Sequence, residues 1–277
     1  MDILLCGDCC MLPGIESVMY SAMFHTPGIR WHIMTMAAEV DLPDGTMRGY
    51  VALTPEMRAW LEHLVRFMDR SGSVRFYDVE DAYREHLSNS VNRACAFSPY
   101  AALRLLSDLI LPVDHCLYLD ADVLVTEDLR PLYDTYLDKD TDYAASCAYG
   151  ALEDWGEMVS GVLLLNLARM RVSGTLVRAR RLYNTREFRY PDQAALFYAK
   201  EPRRMHESHV SLCNWKEAAD KPSIIHLTSD NYGKIYTLSS GKFYRYYPEF
   251  QYIFDGLEKA RECYRGKTDW YQAPRPD

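Results

Sequence analysis

The sequence predicts an α/β domain with a mainly parallel central sheet. Two observations carry this: short β-rich apolar runs alternate with stretches of helical periodicity, and no repeat, low-complexity tract or Gly/Pro/Ser-rich linker divides the chain. Residues 2–6 read as the first strand, 15–24 as a helix and 30–35 as the next strand. Thr54-Pro55-Glu56 supplies an N-cap followed by proline at the first helical position. From there Trp60, Leu61, Leu64, Val65 and Met68 keep one face apolar until Ser71-Gly72 ends the helix. Residues 74–79 form another strand, and Ser98-Pro99 repeats the cap, opening a helix that ends before Pro112. The apolar runs 116–119, 123–125, 144–148, 161–167 and 223–227 complete the strands. One domain over 1–238 is the simplest parsing, followed by an aromatic, charge-mixed C-terminal extension over 239–277 that could pack or meet an acceptor.

The composition supports a packed core: of 277 residues, 48% are hydrophobic and 25% charged. A net charge of −8 argues against nucleic acid as a partner, since neutralising a phosphate backbone takes a basic surface. Anionic ligands stay open to a chain with local positive charge or a bound cation. The first residues show no basic n-region with a long apolar run, and no apolar run is long enough to cross a bilayer. The eight cysteines therefore read as reduced thiols and the location as cytoplasmic. Cys6 and Cys9 make a C-x-x-C, but no second pair follows at a zinc-ribbon spacing.

Asp120-Ala121-Asp122 is the strongest local signal. In a strand, residues two apart share a face, so both carboxylates would project together. They sit between two apolar runs, where adjacent negative charges are costly without compensation. A divalent cation is the usual solution, and it can bridge to a diphosphate. The plain alternative is an acidic turn where the chain leaves the core. A phosphatase of the haloacid-dehalogenase type also places D-x-D after an apolar strand. Here, however, Leu124 stands where that motif has Thr or Val, and about 115 residues of α/β pattern precede it.

Several segments together resemble glycosyltransferase family 8. The opening 1–8 is similar to that family's first strand, which ends in an acid. Residues 100–105 are similar to its Y-A-R-L-K-L helix, 117–125 to L-Y-L-D-x-D-x-L-V, and 160–167 to A-G-V-L-L-I-N-L. Asp192-Gln193 falls where the family carries D-Q, and His226 where it has a late histidine. The order agrees over roughly residues 1–236.

The resemblance implies a GT-A fold with a single Rossmann-like nucleotide-binding domain. It also implies a UDP-sugar donor, Mn2+ or Mg2+, and hexose transfer with retention to a glycan, glycolipid or glycoprotein acceptor. The implied metal ligands are Asp120, Asp122 and His226. Donor contacts fall on Cys6, Asp8, Arg104, Asp120, Ala121, Asp122, His226, Gly233 and Lys234, with Asp8 facing the uracil and Lys234 the leaving group. Asp192 and Gln193 would lie near the anomeric carbon. Taken alone, His226 reads as a core histidine, and Asp192-Gln193 as first-turn helix chemistry. His206 and His209 read as solvated loop residues.

The chain also departs from the family pattern. Ala102 stands where the family has an arginine, and in an α-helix Arg104 would point about 200° away from that face. Val159-Ser160-Gly161 replaces N-A-G, Cys10 replaces asparagine, and the segment after His226 is longer. These departures leave a second reading, a nucleotide-sugar-binding member with weak or no turnover that serves as a partner or regulator. Finally, residues 169–204 hold ten basic against three acidic side chains. That is either a solvated face or a surface steering an anionic acceptor or a membrane leaflet.

Overall fold

The structure is a computed structural model and describes residues 1–41, 45–93, 97–146, 158–206, 209–212, 222–227, 244 and 247–266. The first strand β1 (Asp2–Cys6) is followed by α1 (Leu12–His25), β2 (Arg30–Thr35) and a hairpin of β3 (Ala38–Asp41) and β4 (Met47–Tyr50). Next come α2 (Pro55–Met68), β5 (Ser73–Asp78) and α3 (Glu80–His86). Thr54 caps α2 as expected, its hydroxyl accepting from the Met57 N–H at 3.3 Å, and the anticipated apolar face is buried.

The helix opened by Ser98-Pro99 begins as a 3-10 helix (Pro99–Leu106) and closes with the short α4 (Ser107–Ile110). After it, β6 (His115–Leu119), β7 (Val123–Val125), α5 (Arg130–Thr135), β8 (Tyr143–Ser146) and β9 (Val159–Asn166) lead to three helices. These are α6 (Leu167–Ser173), α7 (Thr175–Thr185) and α8 (Pro191–Ala199), and then β10 (Arg203–Arg204), β11 (Val210–Leu212), β12 (Ile224–His226) and α9 (Gln251–Tyr264) follow.

The main sheet runs β10-β8-β9-β6-β1-β2-β5. Its half β6-β1-β2-β5 is parallel, and β9 enters antiparallel to both β6 and β8. Strand alternation divides the core: Ile3 and Leu5 of β1 face α1 and α2, while Leu4 and Cys6 face the 3-10 helix. Helix α9 belongs to the first of these layers. Gly256 lets α9 close on α1, because a β-carbon there would overlap the Tyr20 hydroxyl and stand 2.5 Å from Tyr20 Cε2. Beside it, Glu16 of α1 pairs with Arg261 and accepts from Trp60 Nε1 at 2.8 Å.

A second, smaller sheet positions the site. There β12 pairs antiparallel with β7, setting His226 opposite Val123, and the Leu227 N–H donates to the Asp122 carbonyl at 2.8 Å. The end of β12 is thereby fixed against the acidic pair.

Candidate functional site

Asp120 and Asp122 do not lie within a strand as the period-two argument expected. They occupy the turn between β6 and β7, and the turn, together with β12, brings their carboxylates to one place. His226 Nε2 lies 3.2 Å from Asp122 Oδ1 and 3.9 Å from Asp120 Oδ2. One ligand atom from each of the three side chains lies within 4.8 Å of the other two. Two carboxylate oxygens and an imidazole nitrogen make a mixed donor set that suits a divalent cation such as manganese, so the residues present fit a metal. His226 is buried with its Nε2 against the acidic pair. Burial alone would lower the imidazole pKa, but the charge and hydrogen bond of Asp122, with Asp120 behind it, raise it above the ordinary value.

The approach of His226 depends on a missing side chain. A β-carbon on Gly161 would overlap the imidazole, standing 2.6 Å from Nε2 and 2.7 Å from Nδ1. The same residue's carbonyl accepts the Asp120 N–H at 2.8 Å. The backbone of β9 thus anchors Asp120 and leaves room for His226.

Arg104 reaches Asp120 of the acidic pair without sharing the face of Ala102. The helix carrying it is 3-10, in which two residues turn about 240° rather than about 200°. Arg104 therefore still leaves on a different face from Ala102, and that face is the one that meets Asp120 and Asp192. Its Nε donates to the Ala101 carbonyl at 2.7 Å, and its Nη1 donates to the Ser160 carbonyl. Its Nη2 lies 3.0 Å from Asp120 Oδ1, and its Nε 3.2 Å from Asp192 Oδ2. The buried guanidinium therefore bridges the metal-type carboxylate and the first turn of α8. Burial works against its charge, but Asp120, Tyr118 and Asp192 more than compensate.

Tyr118 was missed in the sequence. Its hydroxyl donates to the same Asp120 Oδ1, and its ring lies 4.3 Å beneath the Arg104 guanidinium. The available signal was a tyrosine between Leu117 and Leu119, two residues before the acid. With Oδ1 held by Tyr118 and Arg104, Oδ2 is the oxygen nearer His226.

Asp192 and Gln193 sit together at the start of α8, both buried. Burial raises the Asp192 carboxyl above the usual range, with Arg104 opposing and Asp120 reinforcing the shift. Gln193 Oε1 accepts the Ser160 N–H at 3.1 Å. Ala121 is buried in the turn, and Cys6 is buried at the end of β1 beside Arg104, its thiol pushed up chiefly by burial. Asp8 leaves β1 on the same edge of the sheet and caps the turn after it, its Oδ1 accepting the Met11 N–H at 3.0 Å. Burial raises this carboxyl too, against the pull of the Met11 and Cys10 N–H groups. Farther along that edge, a cleft of about 600 Å3 is lined by Glu39, Tyr50, Val51, Glu80, Tyr83 and Arg84. Gly233 and Lys234 lie outside the described residues.

The remaining signals have structural uses. The His206 N–H donates to the Tyr136 hydroxyl, and the His209 ring packs edge-on against Tyr136. Neither belongs to the metal-type cluster. In the basic segment, Arg171 donates to the carbonyls of Asp108, Leu111 and Val113, and Arg178 to those of Ser173 and Ala199. Arg169, Arg180 and Arg203 pair with Asp142, Asp108 and Asp138. Among the described residues, no helix is long and apolar enough to cross a membrane.

No family model matches the sequence, and no curated protein is similar to it at the sequence level. Solved structures do match. The galactosyltransferase LgtC, in complex with donor and acceptor sugar analogues, superposes with a TM-score of 0.62 at 20% identity, covering 97% of this chain and 100% of that one. Mouse xyloside xylosyltransferase 1 gives 0.57 at 13% identity, with 83% and 99% covered. The bifunctional glycosyltransferase WbbM gives 0.61 at 14% identity over 83% of this chain, which spans 46% of WbbM. The fold is the GT-A fold of glycosyltransferases. Within the GT-A fold here, the acidic turn after β6, Asp8 after β1 and the cleft beyond β2 and β5 follow strands that run parallel to one another. Ligands of open α/β sheets bind outside such carboxyl ends.

Proposed function

We propose that this chain is a metal-dependent, retaining glycosyltransferase of the family 8 type, moving a hexose from a UDP-sugar to a glycan, glycolipid or glycoprotein acceptor. The observation that carries the reading is the convergence of Asp120, Asp122 and His226 within 4.8 Å in a GT-A fold. A divalent cation bound there supplies a grip on the donor diphosphate and offsets the charge that develops on departing UDP. Asp8 accepts the uracil imide N–H at the other end of the donor.

Arg104 sets the spacing between the two halves of the reaction centre, since one guanidinium holds both Asp120 and Asp192. Asp192 orients a donor hydroxyl near the anomeric carbon. Gln193 is a poor nucleophile, being a neutral amide whose oxygen is already engaged by the Ser160 N–H. A covalent intermediate is therefore disfavoured. The bond from the anomeric carbon to UDP breaks as the acceptor oxygen arrives on the same face, and the acceptor proton leaves with the phosphate.

The reading as a binder without turnover rests on Ala102 and Val159. Arg104 weakens that reading by bringing a guanidinium to Asp120 and Asp192 from two residues further on. A glycolipid acceptor would bring the chain to a membrane surface, with exposed Arg181 and Lys200 among the groups that could meet anionic headgroups.

The test is a screen of UDP-hexoses for manganese-dependent UDP release, followed by NMR of the first-formed product. UDP release with the donor's anomeric configuration preserved supports the reading. An inverted product removes the retaining assignment, and failure to bind or cleave any UDP-sugar removes the donor assignment.

A further inference from the structure

The C-x-x-C of the sequence is taken apart by the fold. Cys6 is buried in the core, while Cys9, half-buried, turns toward the exposed Cys10. Their sulfurs stand 3.8 Å apart at the surface, on the 3-10 turn Cys9–Met11 that follows β1. Both ends of the turn are tied down. Asp8 Oδ1 accepts the Met11 N–H at 3.0 Å, and the Cys9 N–H donates to the Val51 carbonyl at 3.0 Å. Val51 in turn lines the 600 Å3 cleft.

The sulfur spacing decides what the pair is suited to hold. It is far beyond the ~2.05 Å of a disulfide bond. It does match the edge between two sulfurs on one tetrahedral ion, which is about 3.8 Å for metal–sulfur bonds of about 2.3 Å. We infer that Cys9 and Cys10 form a chelating dithiol that takes one soft divalent cation, of the zinc and cadmium class, on the surface beside Asp8. On binding, each thiol releases its proton to solvent and its sulfur donates an electron pair to the ion. Nothing is oxidised or reduced, and the ion's remaining positions are filled by water. This site is separate from the oxygen-and-imidazole set of Asp120, Asp122 and His226, and ligand softness sorts cations between the two. It stands whether or not the chain transfers sugars.

The experiment is a Cd2+ titration of the full chain in manganese-free buffer, followed by ultraviolet thiolate-to-cadmium charge-transfer absorption. One equivalent should saturate the band, and excess Zn2+ should remove it. Cys9→Ser and Cys10→Ser should each lose about nine-tenths of it, while Asp122→Asn should keep it. A band of undiminished strength in either cysteine variant, or none in the wild type, overturns the inference. Should a variant fold poorly, alkylation of the wild-type chain gives the same decision. Cd2+ should protect Cys9 and Cys10 from iodoacetamide in peptide mass spectra, and equal labelling with and without the ion overturns the site.

Discussion

Gly161 sits so close to His226 that a β-carbon on the glycine would overlap the imidazole ring. Gly161→Ala should therefore push His226 off the acidic pair while the rest of β9 stays paired. We expect manganese affinity, read by calorimetry, to fall about 10- to 100-fold, the usual cost of disturbing what orients a metal ligand. Unchanged affinity would mean that His226 does not ligate.

Asp122→Asn removes the charge of a proposed metal ligand while keeping its shape. The Asp122 side chain is 32% exposed, so the variant should still fold. Manganese-dependent UDP binding should be abolished. Wild-type UDP affinity with manganese present would refute the metal assignment.

Tyr118→Phe deletes one of the two side-chain donors that hold Asp120 Oδ1. Because Arg104 remains, the fold should lose only about 1 kcal/mol. Manganese binding should weaken by about tenfold, with UDP release falling alongside. A stability loss with unaltered metal affinity would reduce Tyr118 to a packing residue.

Gly256→Ala should loosen α9 from α1 through its overlap with Tyr20, costing about 1–3 kcal/mol in a thermal melt. Combining it with Tyr20→Leu should recover part of that loss. Additive losses would show that the two positions are not coupled.

Asp142 gives a pH dependence with a definite sign. Burial would raise its carboxyl, but hydrogen bonds from Ser173, Thr175 and Arg169 lower it below its ordinary value of 3.8. The folded state then binds fewer protons than the unfolded one, so stability is complete above about pH 4 and drains as pH falls through the folded value. Asp142→Asn should flatten that acid limb of the denaturation curve and lower the plateau above it. An unchanged acid limb would count against the assignment.

Much of this was legible in the sequence wherever the signal was local. Thr54 and Ser98 announced their helices, and the strand 30–35 was read to the residue. The acidic pair was found, but its geometry was misjudged, because a turn rather than a strand brings the carboxylates together. That Arg104 bridges Asp120 and Asp192 was not legible, because both partners lie farther along the chain and meet it only in the fold. Tyr118 escaped notice because its partner is known only once Asp120 is placed. The hairpin β3–β4 was passed over because its strands are short and polar, although Pro43-Asp44-Gly45 is a turn signal.

The pairing of β7 with β12 also has a consequence in time. On the ribosome, the acidic turn emerges long before the imidazole that completes it, with β8, β9 and the helices α6 to α8 still to be made. A nascent chain can thus bury β1 and β2 without yet being able to grip a cation. A cation taken up at the proposed site would be held only after the later half of the chain has docked, so its capture would mark a finished fold and, by mass action, stabilise it.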